Sequence, residues 1–270
     1  MRHDDLAMDK PEPGDRGLVS TFYSRTAESY FQAQYQTTDR TFINVRHGKL
    51  IEILDLLSLP RLTKALDAGC GPGVLSSDLV ARGFEVTSVD LTTPMLELTQ
   101  RMTMGAARLA RSSIEELPFR DASFDIVCSC GVIEYLPSYE RAILEFHRVL
   151  RPGGTLVLPT TSSWAPANYL APIVERLKRS RTMQKRFGVD PRPFSVMRHS
   201  PLALRRYLEP LFDQIEDQYF FLLPYPRPLN RVFPSISQAI ERWLDRLRHT
   251  PLRYIGEGYI TVSRKRLEGP

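Results

Sequence analysis

A doubly wound α/β fold on a mostly parallel sheet is predicted by three features of this sequence. From Lys64 onward, short apolar or β-branched runs alternate with helical stretches. The links between them are short, and right-handed crossovers then place helices on both faces of one sheet. A glycine-rich turn, "LDAGCGPG" at 66–73, joins the first strand to the first helix. In such folds ligands sit at the carboxyl ends of the strands.

The elements follow in order. "KALDA" (64–68) reads as a strand and "VLSSDLVARG" (74–83) as a helix closed by Gly83. "FEVTSVD" (84–90) is the second strand, and "PMLELTQRMTM" (94–104) is a helix with Pro94 in its first turn, where a missing N–H costs nothing. "AARLARSS" (106–113) is a weaker strand and "FDIVCSC" (124–130) a stronger one. "SYERAILEFHRVL" (138–150) is a helix with apolar residues at Ile143, Leu144, Phe146, Val149 and Leu150. "RPGG" ends it, and "TLVLPT" (155–160) is the fifth strand. "QIEDQYFFLLP" (214–224) and "GYITVSRK" (258–265) read as two more, completing a seven-stranded, Rossmann-like sheet.

Around that sheet the chain divides as follows. Residues 1–18, charged and rich in Pro and Gly, are expected to form a disordered leader, and 19–57 a helical lead-in. Residues 58–160 are the core, 161–210 a basic helical cap, and 211–270 the end of the sheet with an inserted helical segment at 224–255. No apolar run approaches the ~20 residues that span a bilayer. The N-terminus lacks the apolar stretch of a signal peptide, so a cytoplasmic protein is expected.

Cys70, Cys128 and Cys130 argue against a disulfide framework, and a CxC pair with one distant cysteine is a poor zinc site, so no metal is expected. The net charge of +5 is concentrated locally: ten Lys/Arg face two acidic residues, Glu175 and Asp190, between Ala171 and Arg206. A solvated helix face is the favoured reading of that patch; nucleic acid, anionic lipid or an acidic substrate are the others.

The turn at 66–73 carries the functional signal. Gly69, Gly71 and Gly73 remove side chains where a ligand touches backbone, and a helix N-terminus lies behind them. The spacing is GxGxG rather than GxGxxG, and no Lys-Ser/Thr follows as in a P-loop. Asp90 ends the second strand, where a carboxylate can accept from both hydroxyls of a ribose. A ligand with a ribose but no required diphosphate meets these demands, as S-adenosylmethionine does.

Four motifs in sequence, "LDAGCGPG", "VTSVDLTTPML", "EELPFRDASFDIV" and "FHRVLRPGGTLVL", make the segment from about Lys64 to Thr160 resemble a class I S-adenosylmethionine-dependent methyltransferase. The resemblance is to the small-molecule branch that includes the ubiquinone and menaquinone methyltransferases. "FYSRTAESYF" looks like that family's lead-in helix, which folds over the cofactor. The resemblance implies that Asp67, Gly69, Cys70 and Gly71 line the methionine side. It puts Asp90 on the ribose and Leu91 and Met95 near the adenine. It puts Ser113 where an acidic residue usually accepts the adenine amino group, gives Ile114 a backbone N–H contact, and sets Cys130 beside the cofactor through its backbone.

Methyl transfer needs an acceptor held in line with the donor and shielded from water. Glu134 and Tyr135 follow the fourth strand at the mouth of the expected cleft and are candidates for proton removal or acceptor orientation. His199, before a later helix, is a third candidate, whereas His147 reads as structural. Trp164, Tyr169, Phe194 and the "YFFLLPYP" stretch supply aromatic surface for a flat or apolar acceptor. Alternate residues of that stretch, which holds Tyr219, Phe220 and Phe221, read as core rather than pocket. The expected activity is methylation of a small acceptor, with oxygen favoured. Carbon methylation of a quinone, polyketide or prenyl compound is the alternative, and an inactive cofactor-binding scaffold the reading from another class. Nucleic acid is not expected as a partner; the basic cap could instead meet an acidic group of the acceptor or a membrane surface.

Overall fold

The computed structural model describes residues 15–36, 42–165, 194, 196–220, 246, 250 and 256–267. Its helices are α1 (Arg16–Gln34), α2 (Phe42–Leu57), α3 (Val74–Ala81), α4 (Thr93–Met102), α5 (Glu140–Val149) and α6 (Pro201–Leu208). Its strands are β1 (Lys64–Ala68), β2 (Glu85–Asp90), β3 (Arg108–Arg111), β4 (Phe124–Cys128), β5 (Leu150–Thr161), β6 (Phe212–Phe220) and β7 (Gly258–Lys265). They form one seven-stranded sheet in the order β3-β2-β1-β4-β5-β7-β6. The doubly wound α/β expectation is borne out.

The first five strands run parallel; Ala65 of β1 is in register with Val86 of β2 on one side and Ile126 of β4 on the other. β7 is antiparallel to both of its neighbours. The chain therefore reverses its winding between β1 and β4, and a crevice opens there at the carboxyl ends of the strands.

The core has two main layers, one on each face of the sheet. One face packs α5 and α6 through Ile143, Phe146, Leu204 and Leu208 against Leu66, Val127 and Leu156. The other packs α2 and α3 through Leu50, Ile53, Leu75 and Leu79 against Ala65, Val86 and Ile126. In α5 the buried residues Ala142, Ile143, Phe146 and Val149 make one apolar stripe. Leu144 lies off that stripe and is 50% exposed, unlike the other apolar residues read into this helix.

Three boundaries differ from expectation. α1 starts at Arg16, inside the segment read as leader, because the Asp15 carboxylate accepts from the N–H groups of Gly17 and Leu18 and caps the helix. β5 starts at Leu150 and runs through "RPGG": Phe124 pairs with Leu150, and a bulge then restores the register at Ile126↔Thr155. α6, assigned to the cap, belongs to the main core, since Leu204 and Leu208 are buried there. Tyr169, Phe221 and most of the basic cap lie outside the described residues. No helix among the described residues is long and apolar enough to cross a membrane.

Candidate functional site

A cavity of about 1150 Å³, counted out to its open mouth, occupies the crevice at the carboxyl ends of β1, β2 and β4. All ten residues expected to meet the cofactor line it: Asp67, Gly69, Cys70, Gly71, Asp90, Leu91, Met95, Ser113, Ile114 and Cys130. Of the three expected to act on the acceptor, only Tyr135 lines it.

The glycines divide their work. Gly69 lies against Val132, and a Cβ on Gly73 would come within 2.6 Å of the Thr99 backbone, so these two admit neighbouring segments. Gly71 differs: a Cβ there would meet nothing within 4 Å, although its φ of +52° still favours glycine. Its surroundings are open cavity, as a ligand-facing backbone requires. Cys70 is buried, with its sulfur 3.3 Å from the Thr99 hydroxyl, and burial raises the thiol pKa well above its usual value.

Two carboxyls, the buried Asp67 and the half-buried Asp90, flank this turn. Asp90 accepts from the Gly71 N–H (3.0 Å) with one oxygen and from the Thr92 N–H (2.9 Å) and hydroxyl (3.0 Å) with the other. Burial raises its pKa, and these hydrogen bonds oppose the rise. Asp67 accepts from the Ser76 hydroxyl at 2.6 Å, and that hydroxyl in turn lies 2.8 Å from Ser88. Burial pushes Asp67 up to about 7, the Ser76 hydrogen bond partly opposing it. Neither carboxyl has a basic partner within ion-pair distance among the described residues. A cationic ligand with ribose hydroxyls suits both.

At the far end of the cavity, Ser113 accepts from the Glu115 N–H at 3.2 Å, closing the turn that presents Ile114. Arg16 of α1 reaches Glu115 here and ties the lead-in to this rim. Met95 and Leu98 of α4 pack with Tyr23, Ala27 and Phe31 of α1, so the lead-in helix covers the cavity as its resemblance implied.

Beyond β4 the chain makes a short turn, Ile133–Tyr135, that aims consecutive side chains in opposite directions. Tyr135 faces the cavity, its hydroxyl 2.7 Å from that of Tyr23. Phe194 packs edge-on against Tyr135 and Phe22, bringing the beginning of the segment before α6 to the same wall. Glu134 turns inward instead. It is 2% exposed, one oxygen accepts from the Thr161 N–H (3.0 Å) and hydroxyl (3.2 Å), and Arg46 lies 3.7 Å away. His199 is also buried, its Nε2 3.2 Å from the Ile133 carbonyl and its ring edge-on to Tyr139. Neither Glu134 nor His199 borders the cavity, because both serve the packing of the β4–β5 strand ends. His147 packs edge-on against Phe212, and burial lowers its pKa. Trp164 is half-buried just past β5 and does not line the cavity; Tyr219 and Phe220 are core residues.

The residue reading missed the roof. Tyr23, Tyr30 and Tyr35 from α1 and its exit, with Arg46 and His47 from α2, line the cavity. Two signals could have found them. Tyr23 and Tyr30 are seven residues apart, on one helix face, with ring centroids 5.3 Å apart. Arg46 stands at the apolar stripe of α2, four residues before Leu50 and seven before Ile53.

Comparison with known proteins agrees with this geometry. A family profile described as "Methyltransferase domain" matches residues 66–158. The chain is 34% identical over 152 residues to a malonyl-[acyl-carrier protein] O-methyltransferase of Pseudescherichia vulneris, covering 55% of each chain. It is 40% identical over 105 residues to the demethylmenaquinone methyltransferase of Staphylococcus aureus, covering 37% of this chain and 44% of that one. The chain thus spans little more than half the length of the curated relatives it matches. The fold is shared with the N-methyltransferase NodS of Bradyrhizobium japonicum in complex with S-adenosyl-L-homocysteine: TM-score 0.58 at 15% identity, over 90% of this chain and 97% of that one. It is shared as well with an S-adenosylmethionine-dependent methyltransferase of Methanosarcina mazei: TM-score 0.55 at 21% identity, over 80% and 98%. The resemblance of this segment to a methyltransferase is borne out.

Proposed function

We propose that this chain, whose residues 66–158 carry a methyltransferase domain, transfers a methyl group from S-adenosylmethionine to a small, aromatic or apolar acceptor, with oxygen as the receiving atom. One observation carries the reading: a single cavity runs from the Gly69–Gly71 turn and Asp90 to a wall built from Tyr23, Tyr30, Tyr35 and Tyr135. The same lining borders both the turn and the tyrosines, so a cofactor and an acceptor would meet in one space.

When bound, the cofactor supplies an activated methyl group on a sulfonium. The chain's own residues bind, orient and exclude water. In this reading Asp90 accepts from the ribose hydroxyls, the Gly69–Gly71 backbone passes along the methionine end, and Leu91, Met95, Ser113 and Ile114 surround the adenine. The Tyr23–Tyr135 hydroxyl pair lies where an acceptor oxygen needs a hydrogen-bond partner, and the aromatic wall closes that end to water. With Glu134 and His199 outside the cavity, the chain is expected to act by proximity and orientation rather than through a strong carboxylate or imidazole base. An acceptor already ionised near neutral pH suits this arrangement. That favours oxygen, as do the relatives named for O-methylation.

The test is transfer of a labelled methyl group to a panel of carboxylic acids, acyl thioesters with a free carboxyl, phenols and quinols. Label released by mild alkali as an ester, or found as a phenol ether, agrees with the proposal. Label on a ring carbon of a quinol would establish the carbon reading, which the demethylmenaquinone methyltransferase relative favours. Cofactor binding with no transfer to any acceptor, and no slow hydrolysis of the cofactor, would point to a scaffold.

A further inference from the structure

We propose that Phe194 is the positioning residue that aligns the Tyr23 and Tyr135 hydroxyls toward the acceptor. The inference deepens the acceptor reading above and rests on it.

Phe194 is buried and does not line the cavity. It stands behind the tyrosine wall as one of four rings in a closed set. Ring centroids are 5.2 Å apart for Phe22 and Tyr23, 5.6 Å for Tyr23 and Tyr135, 5.9 Å for Tyr135 and Phe194, and 5.5 Å for Phe194 and Phe22. All four pairs cross at 81–89°, the edge-to-face arrangement that aromatic quadrupoles favour. Across the set Phe194 also meets Tyr23, at 6.2 Å and 47°. Phe194 thus touches both members of the hydroxyl pair while belonging to neither α1 nor the 133–135 turn.

The backbone says what holds Phe194 in place. Three residues on, the Met197 N–H donates to the Glu134 carbonyl at 2.7 Å, and His199 Nε2 lies 3.2 Å from the Ile133 carbonyl. The His199 N–H donates to the Thr161 carbonyl at 3.3 Å. Residues 197–199 are therefore tied to the turn that carries Tyr135 and to the end of β5, and Phe194 reaches α1 from that base through Phe22 and Tyr23. α1 has a second support on α4, where Ala27 and Phe31 pack with Met95 and Leu98. The two supports divide the helix between the acceptor wall and the cofactor positions. The hydroxyls of Tyr23 and Tyr135 meet at 2.7 Å across two separate elements, and the Phe194 ring fixes the gap between them. A shift of about 1 Å in either phenol would misplace an acceptor held by the pair and leave the α4 contact intact.

The experiment places 3-fluorotyrosine at Tyr135 and follows its fluorine resonance. In the parental protein the line should be single, narrow and displaced by the surrounding rings from its position in the unfolded chain. In Phe194→Leu it should broaden and move toward the unfolded position, and Phe22→Leu, on the opposite corner of the set from Tyr135, should move it in the same sense. For the acceptor found with the labelled-methyl panel, kcat/KM should fall roughly ten-fold in Phe194→Leu. Affinity for S-adenosylhomocysteine should stay within about two-fold, because the α4 support is intact. A parental line at the unfolded position would overturn the proposal, and that arm needs no variant to fold. So would an unchanged line in Phe194→Leu, or equal losses of kcat/KM and of S-adenosylhomocysteine affinity, which would make Phe194 a support of the whole helix. A parental protein that methylates no member of the panel would instead remove the acceptor reading on which this one stands, whatever the fluorine line shows.

Discussion

Asp67 is 1% exposed and its close donor is the neutral Ser76 hydroxyl, so its carboxyl stays protonated up to about pH 7. An unfolded chain ionises the same carboxyl near pH 4. A carboxyl whose folded pKa is raised favours folding below the unfolded value, and that contribution is lost as pH rises through the folded one. Urea denaturation at several pH values should therefore show a component of stability that falls between about pH 4 and pH 7. Asp67→Asn, which keeps an acceptor for Ser76, should flatten that component and be relatively more stable at pH 8. An unchanged pH slope in the variant would mean that the carboxyl ionises freely in the folded protein. The residue scale is also where sequence reading divided most sharply. The ten positions expected to meet the cofactor sit on strand ends and turns or, for Met95, in the first turn of α4, and all ten line the cavity. Glu134 and Tyr135 are adjacent, and sequence gave both the same prospects; the 133–135 turn sends one to Thr161 and Arg46 and the other to Tyr23.

At the scale of elements, α1 is the part of the cavity wall with the least sheet to support it. It is held by Tyr23, Ala27 and Phe31 against Met95 and Leu98 of α4, by the exposed Arg101–Glu28 pair, and by the Tyr23–Tyr135 hydroxyl bond. The ion pair is more than half exposed at both ends and contributes little. Tyr23→Phe keeps the ring packing and removes the hydroxyl bond, which is worth about 0.5–1.5 kcal/mol. Amide exchange in α1 should then speed up by roughly two- to twelve-fold while β1 and β4 are unaffected, and added S-adenosylhomocysteine should slow exchange in α1 in both proteins. Exchange in α1 that ignores both the substitution and the ligand would show that this helix does not cover the site. Helices and strands with strong periodicity, such as α5 and β2, were legible to within a residue or two. The start of α1 was not, because a single Asp15 cap decides it, nor was the start of β5, because a bulge lets "RPGG" pair.

For the whole molecule, the parallel half of the sheet followed from strand–helix alternation, whereas the antiparallel insertion of β7 between β5 and β6 did not. Alternating side chains tell which residues are buried but carry no information on strand direction or neighbour. The roof shows the same limit. Tyr30 and Arg46 are distant in sequence from the glycine turn, and only the docking of α1 and α2 over the carboxyl ends of the strands brings them to it. In the proposed reading the ligand enters where β1 and β4 part, and its ribose meets Asp90. The most direct check is calorimetric titration of S-adenosylhomocysteine into the parental protein and into Asp90→Ala, beside NAD as a control. One site per chain, a loss of about 1.5–3 kcal/mol in a folded Asp90→Ala variant, and no NAD binding are the expected results. Unchanged affinity in that variant, or NAD binding in place of S-adenosylhomocysteine, would contradict the account.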